Sequence, residues 1–398
     1  MAAVSASSIG PARRWSMLVL ALTSTMFANV FINGAAFLIP TLHTERGLDL
    51  ASSGLIASLP SFGMVVTLIG WGYIVDRIGE RIVLSVGAAL TAAAAFAAAS
   101  VESLVAVGIF LFLGGMAAAS SNAASGRLVV GWFPPHQRGL VMGIRQTAVP
   151  LGVGLGALVI PRLAAGQGVS AALLFPAIVC TASAVICAVG VLDPPRPPRA
   201  DAPAEDLANP YRGSTTLTRI HALSVLLVVP QALVWTFTLV WLITDRGWSP
   251  TSAGVLVGVA QLLGAGGRIA AGYWSDRVGR RLRPIRTIAF GAAATMGLLA
   301  LTDWLDSPLS IGFMLIASAI TVSDNGLAFT AIAEIAGPFW SGRALGTQNT
   351  SQHLASALAA PLFGGLIGVA GFPLAFAVCA LFPLAAVPLV PVEADPLA

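Results

Sequence analysis

The chain has 398 residues, 57% of them hydrophobic and only 10% charged, with a mean hydropathy of +0.86. Soluble domains carry about 25% charged residues, so too few charges are present to cover a water-facing surface, and a soluble globular protein is excluded. A net charge of +4 and a pI near 9.5 do not point to nucleic acid, because the arginines fall in short loops between apolar runs.

Those runs recur along the whole length, each long enough to cross a ~30 Å hydrocarbon core. The opening PARRWSMLVLALTSTMFANVFINGAAFLIP has an apolar stretch too long for a signal peptide and no convincing cleavage site, so it reads as a retained first helix. The expected spans are 15–41, 53–74, 82–100, 105–132, 140–164 and 170–192, then 221–243, 252–274, 285–303, 308–334, 344–369 and 372–392. The Pro-rich, charged segment between the sixth and seventh reads as a linker. The expected organisation is a six-helix bundle at 1–192, a cytoplasmic linker at 193–220 and a second bundle at 221–398. Cys180, Cys187 and Cys379 lie inside spans and read as packing residues rather than disulfides or metal ligands.

All 21 basic residues are arginine. With the N-terminus inside, most of them face the cytoplasm, Arg13, Arg14, Arg138, Arg196, Arg199 and Arg343 included, and only Arg46, Arg162 and Arg246 lie outside. The positive-inside bias therefore predicts a multi-pass protein of the cell inner membrane with both termini cytoplasmic.

The two halves repeat each other. GYIVDRIGER at 72–81 returns as GYWSDRVGRR at 272–281, and ERGLDLASSG at 45–54 returns as DRGWSPTSAG at 245–254, both at an offset of 200. Further on, at an offset of 203, Asn122 pairs with Asn325, Pro135 with Pro338, Gly139 with Gly342, Gly143 with Gly346 and Thr147 with Thr350. Anchors in the same order at a nearly constant shift indicate parallel repeats, an arrangement that places a transporter's substrate near the bilayer midplane.

The two decapeptides resemble the Gly-x-x-x-Asp-Arg-x-Gly-Arg-Arg loop of the major facilitator superfamily, and the turn WFPPHQRG at 132–139 and the central linker extend the resemblance over essentially the whole chain. The resemblance implies an all-α membrane fold of twelve transmembrane helices in two pseudo-symmetric six-helix bundles. It also implies that Gly72, Asp76, Arg77, Gly79 and Arg81, with Gly272, Asp276, Arg277, Gly279, Arg280 and Arg281, form cytoplasmic gate loops. Gly72 and Gly272 allow close helix approach, and Gly79 and Gly279 allow a tight turn. Asp76 and Asp276 are expected to meet the positive ends of the eleventh helix near Gly342 and of the fifth near Gly139. The plainer alternative is that the loops serve only as topology signals. Glu80 stands where the family usually has a base, which is expected to weaken the first loop's contacts.

Ionisable groups inside spans cost roughly 2.5–3.5 kcal/mol on insertion scales and are therefore functional candidates. Arg268 and Arg145 each lie about 10–12 Å along a helix from the nearest loop. In the family fold they approach one cavity from opposite halves, where two guanidiniums call for an anion and suit the geometry of a carboxylate. Arg268, within GGRIAAG, also resembles the eighth-helix arginine of the oxalate/formate and monocarboxylate branches. Alternatively, Arg268 pairs with Asp276 or helix-end carbonyls, Arg145 serves a cytoplasmic gate, and Arg127 binds or snorkels. Asp324 either neutralises an arginine or carries a coupling proton, and His353 either suits proton work or is merely hydrogen-bonded. Asn29 and Asn33 share a face, as do Gln231 and Trp235. With Asn122 and Asn325 these residues fill out a binding site or serve only helix–helix hydrogen bonding.

The expected function is secondary transport of a small organic or inorganic anion by rocking of the halves, with proton coupling open. The partners expected are that anion and the lipid bilayer, with no cofactor, no metal and no nucleic acid, and the chain acts as a monomer. A drug/proton antiporter is the rival. It usually carries a Gly-Pro-Gly-Gly-like run in the fifth helix and an arginine early in the fourth, where this chain has AVPLGVGLGALVIP and VGIFLFLGGM. An enzyme is not expected, since HExxH, GxSxG and a P-loop are all missing from the sequence.

Overall fold

A computed structural model describes residues 9–44, 47, 48, 50–195 and 202–396. Arg46, Arg196 and Arg199, used above to orient the chain, lie outside the described residues. Every regular element among those residues is helical. In chain order these are α1 (Pro11–Gly34), α2 (Ile39–Thr44), α3 (Leu50–Ile78), α4 (Glu80–Ser100), α5 (Leu104–Trp132), α6 (Pro135–Gln146) and α7 (Ala148–Gly190), then α8 (Ala204–Leu207), α9 (Thr216–Thr244), α10 (Pro250–Val278), α11 (Leu282–Trp304), α12 (Leu309–Ile320), α13 (Asp324–Ala336) and α14 (Ser341–Ala386).

Local chemistry sets many of these ends. Ser249 accepts from the Ser252 N–H at 3.2 Å and Pro250 opens α10, a serine cap followed by the residue best suited to the first helical position. Gly279 closes α10 in the left-handed conformation, φ 63°. The alanine run of α4, TAAAAFAAAS, has the highest intrinsic helix propensity available. Prolines 60, 161, 176 and 230 sit inside helices, which bundle neighbours tolerate in a membrane.

Ten helical stretches among the described residues are long and apolar enough to cross a bilayer. Two of them serve as two spans each. In α7, Gly168 has φ 83° and ψ 177°, and in α14, Gly371 has φ 78° and ψ 174°. Each is a non-helical residue where the fifth and sixth, and the eleventh and twelfth, spans were expected to part. The loops expected there shrink to about one glycine, because only glycine adopts that geometry without strain. These two lie 203 residues apart, so the repeat extends to backbone conformation, as it does for Gly47 and Gly247, both at φ 68°.

The expected tenth span, 308–334, is not one helix. It breaks at 321–323 into α12 and α13. The Thr321 and Ser323 hydroxyls bond back to the carbonyls of Ala317 and Ala319 at 2.7 Å each, a competition with the helix ladder that favours a break.

The chain divides into two compact units. The first is Met1–Phe133, Thr147–Ala208 and Ala336–Thr350; the second is Pro134–Gln146, Asn209–Ile335 and Ser351–Ala398. In the first, Phe31, Leu38, Leu68, Leu111 and Ile160 form the core. In the second, Trp241, Met296, Leu299 and Phe376 do. Large apolar residues such as Val66, Leu262 and Leu362 point outward, as a lipid solvent permits.

Candidate functional site

The first unit holds a charge cluster at the arginine-rich ends of its helices. Gly72 of α3 crosses Gly342 of α14 so closely that a Cβ on either would run into the other's carbonyl. This contact lets Asp76 reach the first turn of α14. The Gly342 N–H donates to Asp76 Oδ1 at 2.9 Å, and the Arg343 N–H and Nε donate to Oδ2 at 3.1 and 3.0 Å. A carboxylate at a helix start satisfies orphan amides and gains from the dipole.

Arg127 of α5 completes the group. It lies 3.3 Å from Glu80 and 3.5 Å from Asp76, and it donates to the carbonyls of Val75 at 2.7 Å and Pro338 at 2.5 Å. Two expectations change here. Arg127 does not snorkel, being almost fully buried, and Glu80 does not weaken the loop: its side chain is fully buried and ion-paired. Arg81 turns away, its Nε donating to the Ala188 carbonyl at 2.7 Å and its N–H to Asp193 at 2.8 Å. Arg77 lies over the Tyr73 ring, 4.4 Å from its centroid.

The second unit repeats the arrangement with other partners. Gly272 of α10 crosses Gly139 of α6 with the same mutual exclusion of a Cβ. The Gly139 and Leu140 N–H groups donate to Asp276 at 2.9 and 2.7 Å. These amides lie one turn inside α6, where Arg281 takes up the carbonyl of Pro135, four residues before Gly139. The cation on Asp276 is Arg281 itself, at 2.6 Å, and Glu334 of α13 bonds Arg281 and Arg138 at 3.2 Å each. Arg277 donates to the Tyr273 hydroxyl at 3.0 Å. Arg280 contributes its backbone, its N–H donating to the Ser275 carbonyl at 3.2 Å and its carbonyl accepting the Ser275 hydroxyl at 2.7 Å.

Deeper in the second unit lies a group of polar side chains inside the spans. Gly267 lets α10 close on the α12–α13 break: a Cβ there would meet the Ser323 hydroxyl and the Ala319 carbonyl. The next residue, Arg268, is 4% exposed, and its guanidinium lies over the Trp235 ring at 5.6 Å. Asp324, the first residue of α13, is 2% exposed. The two interact electrostatically but stop short of a salt bridge. Arg268 Nε and Asp324 Oδ2 are each left without a hydrogen-bond partner among the described residues. Beside them, Asn325 donates to Gln231 at 2.8 Å and accepts from Gln352 at 3.0 Å. Irregular backbone at membrane depth with unsatisfied charges is the arrangement found around transporter ligands.

The other predicted residues have contacts of their own. Arg145 is buried and bonds the Gln146 side chain at 2.5 Å, while its neighbour Gly143 packs against the Arg268 carbonyl. His353 is exposed on α14, and its side chain has no hydrogen-bond partner among the described residues. In the first unit, Asn29 and Asn33 form a ladder along α1, Asn33 donating to Asn29 at 3.1 Å and Asn29 to the Thr25 carbonyl at 2.8 Å. Asn122 lies 3.4 Å from Met64 sulfur, so the asparagines at equivalent repeat positions have different partners.

Sequence reasoning missed Glu334, Asp193, Asp395 and Gln352. Asp395 accepts from the Arg281 and Leu282 N–H groups at the start of α11, as Asp193 does at the start of α4. The recurrence of Asp-Pro at 193–194 and 395–396 was the available signal.

The family model described as Major Facilitator Superfamily matches residues 18–360. An uncharacterised MFS-type transporter of Mycobacterium tuberculosis is 58% identical over 97% of this chain and 87% of its own length. The gallate transporter of Pseudomonas putida is 25% identical over 95% of this chain and 90% of its own. The hexuronate transporter of Bacillus subtilis is 25% identical over 69% of this chain and 66% of its own. Among solved structures, the proton:xylose symporter XylE superposes with a TM-score of 0.78 at 16% identity, covering 96% of this chain and 95% of that one. The helices, the doubled loops and these likenesses agree, and the chain belongs to the major facilitator superfamily of membrane transporters.

Proposed function

We propose that this transporter carries a small organic or inorganic anion, monocarboxylate-like in character, and that Arg268 binds it. The observation that carries the reading is the buried Arg268 guanidinium, held near Asp324 yet not bonded to it. A cation with an unused donor inside a span is costly unless a ligand completes it. An incoming carboxylate would take the free Nε–H, with Trp235 as an apolar wall and the Gln231–Asn325–Gln352 chain supplying orienting polar groups. The two distant relatives named for gallate and hexuronate, both carboxylates, support the same chemistry.

Asp324 is the coupling candidate: protonated, it releases Arg268 to the substrate, and ionised, it competes for it. Arg145, Asn29, Asn33, Asn122 and His353 complete the proposed substrate and proton set. The bundles at 1–192 and 221–398, joined by 193–220, rock to expose the site alternately. The carboxylate–amide latches at Asp76 and Asp276 hold the arginine-rich end shut until they part. The protein acts as a monomer in the inner membrane, that end facing the cytoplasm.

Uptake into proteoliposomes tests this with labelled monocarboxylates, inorganic anions and cationic dyes, each with and without a pH gradient. Anions should be taken up and should raise the melting temperature of the purified protein. Arg268→Ala should weaken that stabilisation at least about tenfold, the loss of one charged hydrogen-bonding partner. Asp324→Asn should abolish gradient-driven accumulation while sparing exchange. Uptake of cationic dyes with no response to anions would instead establish a drug/proton antiporter.

A further inference from the structure

A second basic feature in the second unit shares no lining residue with the latch or the Arg268 group. Arg283, Arg286, Thr287 and Phe290 follow one another down one face of α11, at the three- and four-residue spacing that aligns side chains. With Val392 and Glu393 they line a 530 Å³ cavity. Both arginines are exposed, and neither guanidinium has a hydrogen-bond or ionic partner among the described residues. The carboxylate in the wall, Glu393, is already engaged by Arg219 at 2.6 Å, so it does not neutralise them. The amides at the start of α11 are occupied as well, by Asp395. An anion entering the cavity would therefore meet side-chain guanidiniums rather than a helix end, the Thr287 hydroxyl donating to the Arg283 carbonyl at 3.3 Å.

The vertical order of these groups is informative. Arg283 and Arg286 lie in the first turns of a spanning helix, and Phe290, 49% exposed, lies about 10 Å deeper than Arg283. Charge at the membrane surface with an aromatic ring below it matches a molecule with a phosphate head and an acyl body. Topology alone needs positive charge at this end. It does not need two arginines, neither with a partner among the described residues, lining one cavity together with a threonine and a phenylalanine.

We propose that this cavity binds the phosphate headgroup of an anionic phospholipid, with the two guanidiniums on the phosphate and the upper acyl chain along Phe290. The site is independent of the substrate assignment.

The test uses the full-length protein in detergent micelles doped with phosphatidylglycerol, with phosphatidylcholine, or supplied with inorganic phosphate alone. Phosphatidylglycerol should raise the melting temperature, and native mass spectrometry should show it retained. Arg283→Gln and Arg286→Gln should each weaken binding about fivefold and the double variant about 25-fold, as expected for one surface arginine per step. Arg13→Gln, in the first unit, should change nothing. Hydrogen exchange on the unaltered chain gives a readout that needs no variant: phosphatidylglycerol should protect the segments around 282–290 and 391–396. Equal stabilisation by phosphatidylcholine, undiminished binding by the double variant, or protection elsewhere would overturn the site. An arginine-dependent shift from inorganic phosphate equal to that from the lipid would overturn the lipid assignment.

Discussion

The latch at Asp76 and the latch at Asp276 have the same net charge and different suppliers. The first combines Asp76 and Glu80 with Arg127 and Arg343; the second combines Asp276 and Glu334 with Arg281 and Arg138. Each is two acids and two arginines. The aspartate and the crossing glycines keep their repeat positions, because a carboxylate that bonds two backbone amides across a glycine–glycine contact has little freedom to move. The other charges need only arrive at the right place with the right sign, so Glu80 and Arg127 give way to Glu334 and Arg281 on other helices, and only Arg138 and Arg343 share a helix start, beside Gly139 and Gly342. Glu80 and Arg280 are the clearest instance: equivalent in the repeat and opposite in charge, the first ion-paired through its side chain and the second contributing its backbone. Electrical neutrality of a buried cluster is the quantity the duplication has kept.

The comparison breaks most visibly if one arginine is removed. Arg281→Leu strips Asp276 of its cation and leaves Glu334 to Arg138 alone, and should cost about 3–5 kcal/mol of stability, measured by unfolding in mixed micelles. Arg127→Leu strands Glu80 while Arg343 still serves Asp76, so its cost should be smaller, about 3 kcal/mol. Glu80→Arg should be as harmful as either, and the pair Glu80→Arg with Arg127→Glu should recover most of the loss. Failure of the exchange to recover anything would mean that shape, not neutrality, governs the first latch.

Second in size are the glycines that part the fused spans. Gly168→Ala and Gly371→Ala each force a side chain into a left-handed, extended geometry, φ 83° and 78°, at about 1–3 kcal/mol each. Equal costs would show that the two positions are equivalent in energy as well as in angle. A neutral Gly168→Ala would show that one repeat tolerates a relaxed turn where the other does not.

Much of this was legible from residue order alone, and the reasons are physical. Repetition of Gly72, Asp76 and Gly79 exposed the duplication, because backbone approach and backbone capping admit few residue types. The cations were not legible. Any arginine within reach serves an ion pair, and reach is set by tertiary approach, so Arg127, Arg138 and Arg343 read only as topology signals or isolated candidates. Glu334 was passed over for the same reason. The break at 321–323 was hidden because Thr, Val and Ser are all tolerated in a spanning helix, and only the back-bonded hydroxyls and the close approach of Gly267 decide against continuity. Arg268 and Asp324 stand out from burial cost, Arg268 also from its family resemblance, but the proximity of one to the other required the break.

A finer comparison concerns the aspartates that follow the sixth and twelfth spans. Asp395 is 5% exposed and accepts from two amides at the start of α11, whereas the exposed Asp193 accepts from one at the start of α4. Replacement by alanine should cost about 1–2 kcal/mol at Asp395 and about 0.5 kcal/mol at Asp193, the upper and lower parts of the range for a lost cap. Reversal of that order would mean that exposure does not set the strength of the cap.

The smallest effect belongs to a brace that only one repeat possesses. Arg219 and Glu393 pair at 2.6 Å; at the corresponding offsets, 200 and 202, the first repeat has Val19 and Val191. The Glu393 backbone amide and then the Arg219 guanidinium hold this carboxyl below its ordinary value of 4.5. A carboxylate whose folded value is depressed adds stability above its unfolded value and loses it as pH falls through the folded one. Wild type and Glu393→Gln should therefore differ slightly in melting temperature at neutral pH and converge on acidification. Because the carboxylate faces solvent, added salt should erase most of the difference. A gap that widened in acid would require some other group to be titrating at this end of the second unit, and the brace would then contribute nothing of its own.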